Sequence, residues 1–309
     1  MPHIHHIATG GTIAFDGARM LDAESMMRHL NIDLKNTRWS HEEAERTPSS
    51  CMTPSKFAQL SDRLLAASAD RKPDAILVTH GTDTMEESAF VADMFQPSET
   101  PAVFTGAMRS GPVGDGPGNI RAAVRAGLEL SSTARGVAVV MDRTIHAASE
   151  VRKLHSTADD AFYSREPLGR IDTNTIHWRD RLPRRIRMPL AEPRHAVHVV
   201  RLVAGDSGDQ IREAAERGAD GIVAEVFGAG NGPPDIFDAI ESAARDGVAV
   251  CVTTRCGDGG IRLARTCESA IVLPHLDALK ARLALLFALA SERLDVLRTW
   301  VDSHNGDLP

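Results

Sequence analysis

ILVTHGTDTMEE, residues Ile76 to Glu87, passes without a break from an apolar run to a polar turn and then to a helix start. Ile76, Leu77 and Val78 suit a strand buried on both faces of a parallel sheet. Thr79 to Thr84 follow as a polar turn. Thr84 and Glu87 have capping-box spacing, which predicts a helix N-terminus there. A strand that runs into a polar turn and a helix start sets its side chains at the carboxyl end of a sheet. Open α/β proteins bind their ligands at that edge. The stretch read alone leaves two readings open: an ordinary capped βα turn, or a site where hydroxyls, a carboxylate and backbone N–H groups converge.

Working outward, the pattern repeats. HIHHIATGGTI (His3 to Ile13) reads as a first strand over Ile4–Ala8 and a tight glycine turn over Thr9–Thr12. Adjacent glycines let backbone turn sharply and approach a ligand closely. The turn lacks the three-glycine spacing of a dinucleotide fingerprint, and no Gly-Lys-Ser/Thr follows it as in a P-loop. His3, His5 and His6 raise the question of a metal, but no later His/Asp set completes a site. The expectation is therefore no metal, with the three histidines exposed at a strand start.

Ala14 to Asp33 is irregular and then helix-like. Residues 47–54 (TPSSCMTP) form a Pro-bounded, hydroxyl-rich turn. Lys56–Ala69 fits an amphipathic helix, with Phe57, Leu60, Leu64 and Leu65 on one side. After the opening stretch come a helix over Glu86–Phe95, a strand over Ala102–Phe104 ending in TGAMRS (Thr105 to Ser110), and a Gly/Pro/Asp loop over Gly111–Gly118. A helix over Ile120–Leu130 and a strand over Val137–Met141 follow. Glu86 and Glu87 read as first-turn acids that suit the helix dipole. Strand–helix alternation implies right-handed crossovers and a mainly parallel sheet.

Asp142 to Arg170 is polar and holds Lys153, which by itself reads as a solvated surface charge. Arg179 to Arg194 is rich in Pro and Arg and reads as a linker. Alternation then resumes. Strands are expected over His198–Val203, within Gly221–Gly232 and over Val248–Thr254. Helices are expected over Gln210–Arg217, Pro234–Arg245 and, once or twice, Leu276–Leu297. The expected organisation is two α/β domains: a larger N-terminal catalytic domain over 1–178, a linker over 179–195 and a smaller C-terminal domain over 196–309.

Composition narrows the function classes. The 309 residues carry a net charge of −7 with no basic stripe, which argues against nucleic acid as a partner. The N-terminus lacks a basic then apolar leader, and no run is long enough to span a membrane. Cys51, Cys251, Cys256 and Cys267 match no zinc or redox spacing, as expected of reduced cytoplasmic thiols.

The chemistry gathers at three places: Thr9–Thr12, Thr82–Asp83 and Lys153. A threonine hydroxyl is a weak nucleophile until something takes its proton. Lys153 beside Thr82 could accept it and Asp83 could orient the lysine, in the manner of a Ser-His-Asp triad. Thr9 in its glycine turn would supply a second hydroxyl, with neighbouring N–H groups as an oxyanion hole. Such a set performs acyl transfer followed by hydrolysis.

TGGTI (Thr9 to Ile13) and VTHGTDTMEE (Val78 to Glu87) resemble the two signature motifs of the bacterial-type L-asparaginases. SSCMTP (Ser49 to Pro54), TGAMRS with DGPGN (Asp115 to Asn119), PLGRI (Pro167 to Ile171), VFGAGN (Val226 to Asn231) and TTRC (Thr253 to Cys256) extend the resemblance over nearly the whole chain in the same order. The resemblance implies hydrolysis of the side-chain amide of L-asparagine to aspartate and ammonia, with no metal or organic cofactor. It implies Thr9 as primary nucleophile, and Thr82, Asp83 and Lys153 as the set that activates water or a hydroxyl. Ser49 would hold the substrate α-carboxylate and Asp83 its α-amino group. Gly11 and Thr82 would lend backbone N–H groups to the oxyanion. It further implies a homodimer or homotetramer in which a neighbour's second domain helps close the site.

The chain departs from that pattern in places. Residues 14–40 hold no Tyr where the family carries a lid tyrosine, and the single Tyr of the chain is Tyr163. Cys51 stands where Asp is usual, and Pro233 where some members have Asn. These departures predict a weaker or altered asparaginase. The alternatives are a related hydrolase of glutamine, D-asparagine or another small amide, and an amino-acid-binding homologue without turnover.

Overall fold

The structure is a computed structural model that describes residues 1–32, 36–95, 100–130, 136–173, 175–180, 185–257, 259–261, 267 and 269–304, the last four as backbone. The chain divides into two compact units, Met1–Arg185 and Ile186–Pro309. Residues 181–184 of the expected linker lie outside the described residues, as does Asp33 at the end of the expected 14–33 stretch.

In the first unit, β1 (His3–Ala8), α1 (Ala23–His29), β2 (Arg38–Glu43), α2 (Pro54–Arg71), β3 (Ala75–Thr79), α3 (Met85–Phe95), β4 (Ala102–Thr105), α4 (Gly116–Leu130) and β5 (Val137–Met141) follow in order. The chain then makes β6 (Thr144–Ala147), a small ribbon of β7 (Arg152–Lys153) and β8 (Phe162–Tyr163), and finally β9 (Gly169–Ile171) and β10 (Ile176–Trp178). The main sheet runs β10-β9-β6-β5-β4-β3-β1-β2. β2, β1, β3, β4 and β5 are parallel, and β6, β9 and β10 add antiparallel edges. The sheet is thus mixed with a parallel core.

Side-chain alternation along β3 explains its all-apolar run. Ile76 and Val78 pack with Leu60 and Leu64 of α2 and Ala89 of α3 on one face. Leu77 packs with Met26 of α1 and Ile120 and Ala123 of α4 on the other. Both faces are covered, so every position has to be apolar. Each such side chain stabilises the fold by about 1.5–3 kcal/mol through removal from water. Thr53 caps α2 by accepting the Lys56 N–H at 3.3 Å, with Pro54 at the first helical position.

The order β2-β1-β3-β4-β5 reverses direction between β1 and β3, where Ala8 pairs with Thr79. Crossovers leave to opposite sides at that point, so the loops after β1 and β3 splay apart and open a crevice at the carboxyl edge. Both polar turns singled out in the sequence start there.

The histidines of β1 correct the sequence reading. His3, His5 and His6 are 8%, 0% and 0% exposed rather than solvent-facing, because β2 covers the flank of β1. His3 Nε2 and His5 Nδ1 each lie 2.8 Å from Ser40 Oγ, and His6 Nδ1 lies 3.0 Å from His41 Nδ1. Among the described residues, no group of three or more His, Cys, Asp or Glu side chains could hold a metal ion. No described helix is long and apolar enough to cross a membrane.

The second unit comprises β11 (Val197–Arg201), α5 (Asp209–Glu216), β12 (Gly221–Val226), α6 (Pro234–Arg245), β13 (Ala249–Thr254), β14 (Ile271–Val272), α7 (Ala278–Ala290) and α8 (Leu294–His304). Its four strands are parallel in the order β11-β12-β13-β14. Ile222, Ala224 and Val252 pack with Ile236 and Ile240 of α6.

Candidate active site

β1 ends at Ala8, and Thr9 is the first residue of the turn. Its N–H donates to the Thr79 carbonyl at 3.0 Å, and its hydroxyl donates to the same oxygen at 3.2 Å. Thr9 is 2% exposed, a hydroxyl fixed at the sheet edge with lone pairs still to offer. Gly11 follows with φ of +86°, a conformation that disfavours any side chain. A Cβ at Gly11 would lie 2.3 Å from the Gly81 Cα. The turns after β1 and β3 therefore touch backbone to backbone, which a side chain at Gly11 would prevent.

The second turn binds two other segments. Lys153 Nζ lies 2.9 Å from Thr82 Oγ1 and 3.1 Å from Asp83 Oδ1. The lysine side chain is 15% exposed and the aspartate 61% exposed. The lysine head is thus enclosed while the carboxylate stays open to an incoming cationic group. On the other side, Ser49 Oγ accepts the Asp83 N–H at 3.1 Å, and the Ser49 carbonyl accepts the Thr84 hydroxyl at 2.8 Å. A hydroxyl that accepts still has its own hydrogen to donate, as a bound carboxylate would require. The Thr84 hydroxyl expected to cap α3 thus gives its hydrogen to Ser49, while the Thr84 carbonyl takes the Ser88 N–H at 2.9 Å.

Thr82, Asp83, Lys153 and Ser49 are therefore brought together by direct hydrogen bonds. Thr9 and Gly11 join them through the contact of the two glycine turns. A Cβ on Gly81 would stand 2.5 Å from Ser49 Oγ. The arrangement offers two hydroxyls, an amine, a carboxylate and glycine-turn backbone at one edge. That inventory suits attack on a carbonyl and stabilisation of the resulting oxyanion.

Several supporting residues carried no role in the sequence reading. Asp115 accepts the Met108 N–H at 2.9 Å and the Arg109 N–H at 2.8 Å, which fixes the turn after β4. Asn119 Nδ2 donates to the Gly106 carbonyl at 3.0 Å and its Oδ1 accepts the Asp142 N–H at 3.1 Å. The DGPGN motif thus braces the loop beside Thr82. His80 is wholly buried, and that burial pushes its imidazole down to about 4. Its Nδ1 sits 2.7 Å from the Gly81 carbonyl. Glu86 Oε2 accepts the backbone N–H of Lys153 at 2.8 Å. A first-turn glutamate gives no sequence signal for such a contact.

In the second unit, VFGAGN closes on itself through Phe227 N–H to the Asn231 carbonyl at 3.0 Å and the return bond at 2.7 Å. The Arg255 guanidinium lies 4.6 Å from the centre of the Phe227 ring.

Comparison with known proteins identifies the family of both units. Residues 3–184 match the asparaginase N-terminal domain family and residues 196–297 the glutaminase/asparaginase C-terminal domain family. A probable L-asparaginase of Deinococcus radiodurans is 35% identical, the alignment covering 97% of each chain. The L-asparaginase of Bacillus licheniformis is 30% identical over 92% of this chain and 94% of its own. The crystal structure of a probable cytoplasmic L-asparaginase from Campylobacter jejuni superposes with a TM-score of 0.86 at 26% identity, covering 97% of this chain and 99% of that one.

Proposed function

The chain belongs to the bacterial-type L-asparaginase/glutaminase family, and from that membership and the site geometry we propose that it hydrolyses the side-chain amide of L-asparagine to L-aspartate and ammonia. The observation that carries the proposal is Lys153 Nζ held between Thr82 Oγ1 and Asp83 Oδ1 at 2.9 and 3.1 Å.

In this reading the Thr9 oxygen attacks the amide carbon. Backbone N–H groups of Gly11 and Thr82 receive the oxyanion. The tetrahedral intermediate breaks its C–N bond as the nitrogen takes up the proton that the Thr9 hydroxyl gave up, so ammonia leaves and an acyl-threonine remains. Water then attacks that ester, and aspartate leaves as Thr9 regains its proton. Lys153 accepts a proton from the Thr82 hydroxyl or through it. Asp83 orients the lysine and attracts the substrate ammonium, while Ser49 donates to the α-carboxylate. None of these steps calls for a cofactor. We further propose a cytoplasmic homodimer or homotetramer. The likeness to the Campylobacter protein, itself a probable cytoplasmic enzyme, supports the compartment.

The test is ammonia release from L-asparagine, L-glutamine and D-asparagine by the wild-type protein and by Thr9→Ala. Asparagine turnover that disappears in Thr9→Ala supports the proposal. No release from millimolar asparagine would sink it, and release from glutamine or D-asparagine alone would reassign the substrate.

A further inference from the structure

We propose that Glu86 is a positioning residue for the reaction: by accepting the backbone N–H of Lys153, its carboxylate fixes the root of the lysine that reaches Thr82 and Asp83. The inference rests on the amidohydrolase reading of the site. Lysine is a poor choice for precise placement, since four rotatable bonds separate its backbone from Nζ. Holding Nζ within 2.9 Å of one group and 3.1 Å of another requires a fixed backbone. Yet β7 is two residues long and, among the described residues, pairs with β8 alone, itself two residues long. An isolated two-stranded ribbon of this size has little stability of its own.

Two features tie the ribbon down. Val151, just before it, is wholly buried and packs in the same cluster as Ile76, Val78 and Met85. The Lys153 N–H, on the ribbon edge away from β8, meets the Glu86 carboxylate at 2.8 Å across 67 residues of sequence. Glu86 is 9% exposed, so water competes weakly for its oxygens. An N–H given to a carboxylate is stronger than one given to a neutral acceptor. Glu86 sits three residues beyond Asp83, in the first turn of α3. One turn of chain therefore carries the lysine's two targets and the anchor for the lysine's backbone. Any displacement of α3 moves all three together and preserves their spacing.

The experiment compares wild type with Glu86→Ala, Glu86→Gln and Glu86→Asp by steady-state kinetics on asparagine. In parallel, mass spectrometry follows the rate at which trinitrobenzenesulfonate labels the Lys153 amine. Glu86→Ala is expected to lose roughly 10- to 100-fold in kcat with KM within about three-fold, since misplacement of a reacting group costs turnover more than binding. Glu86→Gln keeps an acceptor oxygen and recovers the larger part of the loss. Lys153 labels faster in Glu86→Ala than in wild type or Glu86→Gln. Should Glu86→Ala not fold, Glu86→Asp keeps the charge at the helix start but shortens the reach, and is expected to show the same kcat loss in weaker form. The proposal is overturned by a kcat unchanged in both Ala and Asp variants, by an effect confined to KM, by a Gln variant as impaired as Ala, or by equal Lys153 labelling throughout. If wild type releases no ammonia from any amide, the hydrolase reading fails and the labelling rates alone decide the role of Glu86.

Discussion

Lys153 Nζ lies 2.9 Å from the Thr82 hydroxyl although 71 residues separate them. Replacing Lys153 with Met keeps the length of the side chain and removes the amine. Turnover is expected to fall by roughly 10²- to 10⁴-fold, the usual range for loss of a general base. Stability is expected to change by less than about 1 kcal/mol, because the Asp83 partner is largely solvated and such pairs contribute little. Steady-state kinetics with a urea melt of the same preparation check both halves of this expectation.

Thr9→Ala removes a hydroxyl that is 2% exposed and bonded to the Thr79 carbonyl. The backbone bond from Thr9 N–H to the same carbonyl persists, so the turn keeps its shape. Turnover is expected to drop by at least about 10³-fold while the melting temperature moves by a few degrees. Survival of substantial ammonia release in this variant would move the nucleophile elsewhere, with Thr82 first in line.

Gly11→Ala places a methyl group 2.3 Å from the Gly81 Cα and demands φ of +86° from a residue that avoids it. The two turns must part or the strands must slide. We expect destabilisation of about 3 kcal/mol or more, from backbone strain and overlap together, and no measurable turnover. Gly81→Ala meets Ser49 Oγ at 2.5 Å instead, so its expected effect is a raised KM for the α-carboxylate-bearing substrate. Denaturant melts and KM values of the two variants distinguish these effects.

Acid should destabilise the first unit through its buried histidines. Burial pushes His6 down to about 3, with the neighbouring His41 and His5 adding to the shift. Burial likewise pushes His146 down to about 4, with Arg170 contributing, and His80 down to about 4. Each is neutral in the fold and takes up a proton near pH 6.5 once unfolded. Their contribution is complete above that pH and is lost progressively as pH falls towards the folded values. Between pH 7 and 5 the loss is about 2 kcal/mol per histidine, from the extra proton bound by the unfolded chain. Urea melts at the two pH values measure it. A His6→Gln variant should show a shallower dependence, and an unchanged slope would refute the assignment to His6.

The legible parts of the sequence were those where one local pattern carried the fold. β3 and α3 showed an apolar run, a polar turn and first-turn acids in succession, and β5 and α6 match their expected spans. β2 was invisible because RWSHEE has no apolar alternation; its Ser40, His41 and Glu42 are instead partners for buried imidazoles. Without β2 as a neighbour β1 would be a sheet edge, and His3, His5 and His6 would be exposed on it. β6, β9 and β10 are three or four residues long and set between polar residues, too short for a period of two to register. Within the site, the residue types announced themselves, but the Glu86 contact depends on where a distant two-residue strand docks, which local pattern does not encode.

Thr82 leaves the ribosome 71 residues before Lys153. At usual synthesis rates that interval is roughly 4–14 s, long on the scale of strand pairing. β1 to β5 and the helices between them precede it, so every strand of the parallel core is synthesised before the lysine. The residues that shape the crevice are therefore synthesised first and the amine last. A nascent chain halted before residue 150 would carry the hydroxyls and glycine turns without the amine.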